Sequence, residues 1–122
     1  MITELSHLPE RTTKPRENGL NMVMDKGLSL RQAEDFIEIN SERTDLLKLG
    51  FGTSLITPNI KEKVKLYRDA GIDVYCGGTL FEAFYIRDSV DDYLRFIDDL
   101  GINCLEVSDG SMVIHEDDKC EM

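Results

Sequence analysis

The sequence predicts an α/β fold built from consecutive βα units, and three observations predict it. Four short apolar runs, Leu20–Met24, Asp45–Leu49, Asp73–Cys76 and Asn103–Val107, alternate with amphipathic stretches. Their centres, Val23, Leu47, Val74 and Leu105, step by 24, 27 and 31 residues, close to the ~30 residues of a βαβ crossover. The runs are nearly continuous in apolar character, as expected of parallel strands covered on both faces. Strands alternating with helices imply right-handed crossovers. Two architectures accommodate about four such parallel strands. One is an incomplete (β/α)₈ barrel of TIM type, in which further strands cover the inner face. The other is an open doubly wound sheet. The pattern favours the half-barrel.

The helices follow in order. Ser29 with Gln32 forms a capping box for a helix to about Asn40, striped by Ala33, Phe36 and Ile37. Thr57 and Pro58 read as N-cap and N1 of a second helix, striped by Ile60, Val64 and Tyr67 and stopped by Gly71. Thr79 with Glu82 reads as another capping box, opening a short helix through Arg87. Ser89 with Asp92 opens a helix lined by Val90, Leu94 and Ile97 and ended by Gly101. The stretch Glu116–Met122 reads as the first turns of another helix. Residues 1–18 read as an N-terminal extension, and 19–122 as the half-barrel.

Composition narrows the function. The net charge of -10 opposes non-specific nucleic-acid binding, which needs a basic surface, while leaving room for a local lysine pocket that takes an anion. No apolar run approaches the ~18 residues of a membrane span, and Met1 to Arg11 contains no apolar signal core. A cytoplasmic protein is the expectation. Cys76, Cys104 and Cys120 form no C-x-x-C pair, and His7 and His115 complete no zinc spacing. Cys76 and Cys104, inside apolar runs, read as buried structural thiols. His115 reads as an exposed loop residue. The acidic runs at 91–92, 98–99 and 116–118 read as solvated helix faces and first turns.

In parallel α/β folds the chemistry collects at the C-terminal ends of the strands. Those ends carry Asp25, Lys26 and Gly27; Lys48 with Gly50, Gly52, Thr53 and Ser54; Gly77, Gly78 and Thr79; and Glu106 with Ser108, Asp109, Gly110 and Ser111. Lys48 lies within an apolar strand, where an unpaired charge is costly. It therefore either faces a polar barrel mouth or forms a structural pair with Glu106 or Asp25. Gly52-Thr53-Ser54 and Gly77-Gly78-Thr79 supply backbone N–H groups suited to an oxyanion. Each taken singly also reads as a glycine-permitted tight turn. Glu106 and Asp109 offer hard oxygen ligands suited to Mg²⁺, although Ser108-Asp109-Gly110 also suits a plain turn.

The segments Lys14–Leu20, Val23–Gly27, Leu47–Ser54, Tyr75–Glu82 and Glu106–Gly110 together resemble the ordered motifs of the phosphosulfolactate synthase family. The resemblance runs from about Lys14 to the end of the chain. It implies a TIM-barrel lyase of coenzyme M biosynthesis that adds sulfite to phosphoenolpyruvate with Mg²⁺. It assigns Lys48, Lys26 and Asp25 to catalysis, and Gly52, Thr53, Ser54, Gly77, Gly78, Thr79 and Ser108 to anion binding. Glu106 and Asp109 fall to the metal. It also implies a chain about twice as long, with a fifth-strand lysine as proton donor beyond Met122. The present chain is therefore expected to be inactive alone, and either to need the C-terminal half or to pair with a second copy. The family includes stress-associated relatives, which leaves a non-catalytic binding protein as the alternative.

Overall fold

The computed structural model describes residues 5–121, and it is an α/β structure with a parallel sheet. Strands β1 (Met22–Asp25), β2 (Leu46–Leu49) and β3 (Asp73–Cys76) lie side by side in chain order. Helices α1 (Leu30–Asn40) and α2 (Ile60–Asp69) make the crossovers, and α3 (Gly78–Tyr85), α4 (Val90–Leu100) and α5 (Glu116–Glu121) follow. The register aligns Met24, Lys48 and Tyr75 on one rung and Asp25, Leu49 and Cys76 on the next.

Side chains alternate across a strand, so the register separates the sheet into two faces. Leu47, Leu49, Val74 and Cys76 are buried, with Val64, Tyr67 and Phe81 from the helices in the same core. The other face, carrying Met24, Lys48 and Tyr75, is only half-buried. One face is thus sealed by helices and the other is open among the described residues, as the half-barrel reading expects. In a closed barrel that second face is the interior, filled by the remaining strands.

The strand limits differ in detail from the apolar runs. β1 starts at Met22 and takes in Asp25, leaving Leu20 outside. The fourth run, Asn103–Val107, forms no ladder. The Val74 N–H donates to the Asn103 side-chain oxygen at 3.3 Å, and the Asn103 amide donates to Asp73 at 2.9 Å. A side chain therefore occupies part of the edge where backbone pairing was expected, and Leu105 is 43% exposed.

The helix signals vary in the same way. The Ser29–Gln32 box is complete: Gln32 N–H donates to the Ser29 hydroxyl at 3.2 Å, and Ser29 N–H donates to Gln32 Oε1 at 2.9 Å. Thr57 does not cap α2. Its hydroxyl donates back to Thr53 O at 2.6 Å, and the N-cap is Asn59 at φ 58°. Thr79 does not cap α3 either; Gly77 is the N-cap and Thr79 lies inside the helix. Ser89 is the N-cap of α4, but its hydroxyl donates to Arg87 O at 3.0 Å, and Asp92 pairs with Arg95. Gly101 ends α4 at φ 74°, the left-handed conformation that glycine adopts without strain.

The segment before Gly19 is laced to the entry of β2. Arg16 pairs with Asp45 at 2.8 Å with both side chains 6% exposed, and Asn21 N–H donates to the same carboxylate at 3.0 Å. Lys14 Nζ donates to Ser41 O at 2.9 Å. Burial pushes the Asp45 carboxyl up, but the Asn21 N–H and Arg16 outweigh it and hold the group below its ordinary value. Of the three thiols, Cys76 is buried, Cys104 half-buried and Cys120 exposed. Burial raises the Cys76 and Cys104 thiols, consistent with structural roles. Among the described residues no helix is long and apolar enough to cross a membrane.

Candidate active site

The C-terminal ends of the three strands carry two clefts, one over β1 and β2 and one between β2, α3 and the segment after α4. The second gathers most of the chemistry. Lys48, on the half-buried sheet face, reaches Glu106 with Nζ–Oε2 at 3.4 Å; the two side chains are 21% and 33% exposed. Of the two partners the sequence offered Lys48, the fold therefore selects Glu106. The remaining wall comes from Gly78, Thr79, Glu82, Ser108, Gly110 and Ser111.

Two glycines permit this approach. A Cβ on Gly77 would stand 2.8 Å from Lys48 Cε. One on Gly78 would stand 2.3 Å from Ser108 Cβ and 2.6 Å from Glu106 Oε1. The Gly-Gly pair at the end of β3 is thus needed for close contact across the cleft. Gly78 also lies in the first turn of α3, whose orphan N–H groups favour an anion.

Glu82 was legible only as half of a capping box, and the structure gives it a different place. It is 5% exposed. Its Oε1 accepts from Ser108 Oγ at 2.9 Å and Ser111 N at 3.2 Å, and its Oε2 accepts from Ser111 Oγ. The Ser111 hydroxyl foremost holds the carboxyl below its ordinary value.

Asp25 is turned away from this cleft. It is 1% exposed and faces the helices. Its Oδ1 accepts from Gly27 N at 2.8 Å and Leu28 N at 2.7 Å. Its Oδ2 meets Lys63 Nζ at 2.9 Å and the Tyr67 hydroxyl at 2.9 Å. Burial pushes the Asp25 carboxyl up, but Lys63, the two N–H groups and Tyr67 together hold it below the usual carboxylate value. The Tyr67 phenol is driven well above its ordinary value, first by burial and then by Asp25. Lys63 also donates to Leu28 O at 2.8 Å. Asp25 therefore anchors the β1–α1 loop instead of lining the Lys48 cleft. Lys63 was missed, although a signal existed: it falls at helical spacing on the stripe Ile60, Val64 and Tyr67.

Lys26 extends from that anchored loop and lies over the Phe51 ring, 5.8 Å from its centroid. It lines the other cleft, with Ser29, Arg31 and Thr53, so Lys26 and Lys48 are not brought into one pocket. Gly52 takes φ 72° ahead of a 3₁₀ turn at Thr53–Leu55. The Thr53 hydroxyl donates to Gly50 O at 2.8 Å, and buried Ser54 lies 3.6 Å from the Cys76 sulfur. Both hydroxyls are thus engaged within the protein. Asp109 pairs with Lys119 at 2.9 Å, away from Glu106's partner Lys48. Among the described residues no three His, Cys, Asp or Glu side chains gather as a metal-binding group.

The model of the (2R)-phospho-3-sulfolactate synthase family matches residues 9–122. The chain belongs to that family. It is 40% identical over 116 residues to the phosphosulfolactate synthase of Methanothermobacter thermautotrophicus, covering 93% of this chain and 45% of that protein. It is 41% identical over 97 residues to the phosphosulfolactate synthase of Methanocaldococcus jannaschii, covering 78% and 39%. With the Bacillus subtilis phosphosulfolactate synthase it shares 35% identity over 112 residues, covering 92% and 44%. The chain thus spans less than half the length of these relatives. Family membership decides between the two architectures left open by the periodicity: the βα units are part of a TIM-type (β/α)₈ barrel. The half-buried sheet face is then the barrel interior, and the Lys48–Glu106 cleft sits at its C-terminal mouth, where barrel chemistry occurs.

Proposed function

We propose that the complete protein carrying this chain is a phosphosulfolactate synthase, adding sulfite to phosphoenolpyruvate in coenzyme M biosynthesis, and that the Lys48–Glu106 cleft is this chain's share of the active site. The observation that carries the reading is the 3.4 Å approach of Lys48 to Glu106 across the Gly77-Gly78 floor, in a chain of this family.

The reaction forms a C–S bond. The sulfur lone pair of sulfite attacks the terminal methylene of phosphoenolpyruvate. The double-bond electrons move toward the carboxylate, and a proton then enters at the neighbouring carbon. Lys48 holds the substrate carboxylate or phosphate, and its fixed ammonium offsets the developing negative charge. The N–H groups at the start of α3 bind a second oxyanion, and Ser108, its hydroxyl donating to Glu82, shapes the wall beside them. Thr79 lines the same wall. Lys26 serves the outer rim, drawing anions toward the mouth, and Asp25 holds the loop that carries it. Thr53 and Ser54 shape the Gly52 turn beneath that rim.

The donor set suits Mg²⁺, which binds through one or two carboxylates together with substrate oxygens and water. Glu106 would hold it, with Asp109 joining only on leaving Lys119. The ion, when bound, supplies Lewis-acid stabilisation of the carboxylate charge. The proton donor belongs to the remainder of the barrel, so this chain alone is inactive.

The test is sulfite-dependent loss of phosphoenolpyruvate, followed by phosphorus NMR, in the full-length protein or in this chain co-expressed with the remainder of the barrel. Turnover that needs Mg²⁺ and drops about 100-fold or more in Lys48→Met supports the reading. A folded full-length protein that binds no phosphoenolpyruvate and forms no product overturns it in favour of a non-catalytic member.

A further inference from the structure

We propose that Glu82 is a positioning residue: it latches the Ser108–Ser111 turn against α3 and thereby fixes Glu106 and Ser108 opposite Lys48. This rests on the reading of the Lys48–Glu106 cleft as a synthase site.

Ser108 and the turn after it lie past the end of the fourth apolar run, and among the described residues no ladder holds that turn. A side chain presented by a loop without such support is free to shift by an ångström, and a displacement of that size can cost about 100-fold in rate. Glu82 supplies the missing restraint. It projects from α3 (Gly78–Tyr85), a helix fixed to the core through Leu80 and Phe81. Its two oxygens accept from Ser108 Oγ, Ser111 N and Ser111 Oγ. Ser108 Oγ in turn accepts from Gly110 N at 3.2 Å, which extends the restraint through the turn. Glu82 thus grips both ends of the four-residue turn that follows Glu106. The absent Cβ of Gly78 lets Ser108 and Glu106 settle against the same helix.

These bonds also separate a latch from a proton carrier or metal ligand. Both Glu82 oxygens are committed to the turn. A glutamine can keep the same pattern: its Oε1 accepts from Ser108 Oγ and Ser111 N, and its Nε2 donates to the Ser111 hydroxyl, which can accept. A latch therefore survives Glu82→Gln and fails in Glu82→Ala. A residue that moves protons or binds the cation fails equally in both.

The experiment is steady-state kinetics of the full-length protein with phosphoenolpyruvate, sulfite and Mg²⁺, together with amide exchange at Gly110 and Ser111. In E82A, kcat/KM falls about 10- to 100-fold and protection of the Ser111 amide is lost. In E82Q both return to within about 3-fold of the parent. E82A combined with S111A shows little further loss, because the two act as one unit. Parent-like kinetics and protection in E82A overturn the latch, as does E82Q impaired as deeply as E82A. Should E82A not fold, E82D replaces it: the shortened side chain draws its oxygens away from the turn, with loss of Ser111 amide protection and part of the activity expected, and unchanged values in E82D overturn the proposal. A parent protein without turnover defeats the synthase reading alone, and the exchange data still decide the latch.

Discussion

The two ends of the sheet are held by different means. At the β1–β2 end, charged groups are buried and fully partnered. Asp25 is satisfied by two backbone N–H groups, Lys63 and Tyr67, and Arg16 and Asp45 form a second pair at the strand entry. Around β3 and the segment after α4 the functional groups are held differently, and among the described residues no fourth ladder forms there. Lys48 and Glu106 stay partly exposed, and Glu82 with its serines holds the turn. The first region thus serves to hold the fold, whereas the second, on the proposed function, keeps its charged side chains in reach of a ligand. Substitutions in the first should therefore be read in stability, and those in the second in chemistry.

The most severe break is Asp25→Ala. It strands the Lys63 ammonium in the core, and removing one partner of a buried pair costs about 3–5 kcal/mol; chemical denaturation should show a midpoint lowered accordingly. A loss below about 1 kcal/mol would mean that the pair does not fix the β1–α1 loop. Acid attacks the same region. The carboxyls of Asp25, Asp45 and Glu82 are held below their unfolded values. The unfolded state therefore binds more protons over that interval, and stability is lost as pH falls through the folded values. Unfolding followed by circular dichroism should begin below about pH 4, earlier in Asp45→Asn, which retains less of this contribution.

Gly78→Ala probes the second region directly. A Cβ 2.3 Å from Ser108 Cβ forces the turn outward, with an expected stability cost of about 1–3 kcal/mol and a larger loss of phosphoenolpyruvate binding, measurable by calorimetry on the full-length protein. Lys48→Met should change stability by less than about 1 kcal/mol, since its pair with Glu106 is partly exposed, while abolishing most turnover. A large stability loss in that variant would place Lys48 with Asp25 as a structural charge. At the bottom of the scale stands Lys65→Ala, which removes the exposed pair with Asp69. Its effect should stay within about 0.5 kcal/mol in the same denaturation assay, and fade further in salt.

The βα order, the three strand cores, the Ser29–Gln32 box and the glycine stop at Gly101 were legible in the residues alone. Each of these depends on residues within about one turn or one strand length, so local chemistry suffices. The sequence also marked Lys48 as a charge in need of a partner and carried the family's ordered motifs. Tertiary structure decided the rest. Which carboxylate meets Lys48 depends on packing of the segment after α4 against α3, which brings in Glu106 from nearly sixty residues along the chain. Asp25 passed to Lys63 because the strand's alternation turns it toward the helices, away from the rung of Lys48. Thr57, Thr79 and Ser89 carried sound capping signals, yet their helices begin otherwise: the Thr57 and Ser89 hydroxyls found nearer carbonyls, and α3 starts ahead of Thr79. Polar side chains choose among partners that only the folded chain brings near, and no spacing rule contains that choice.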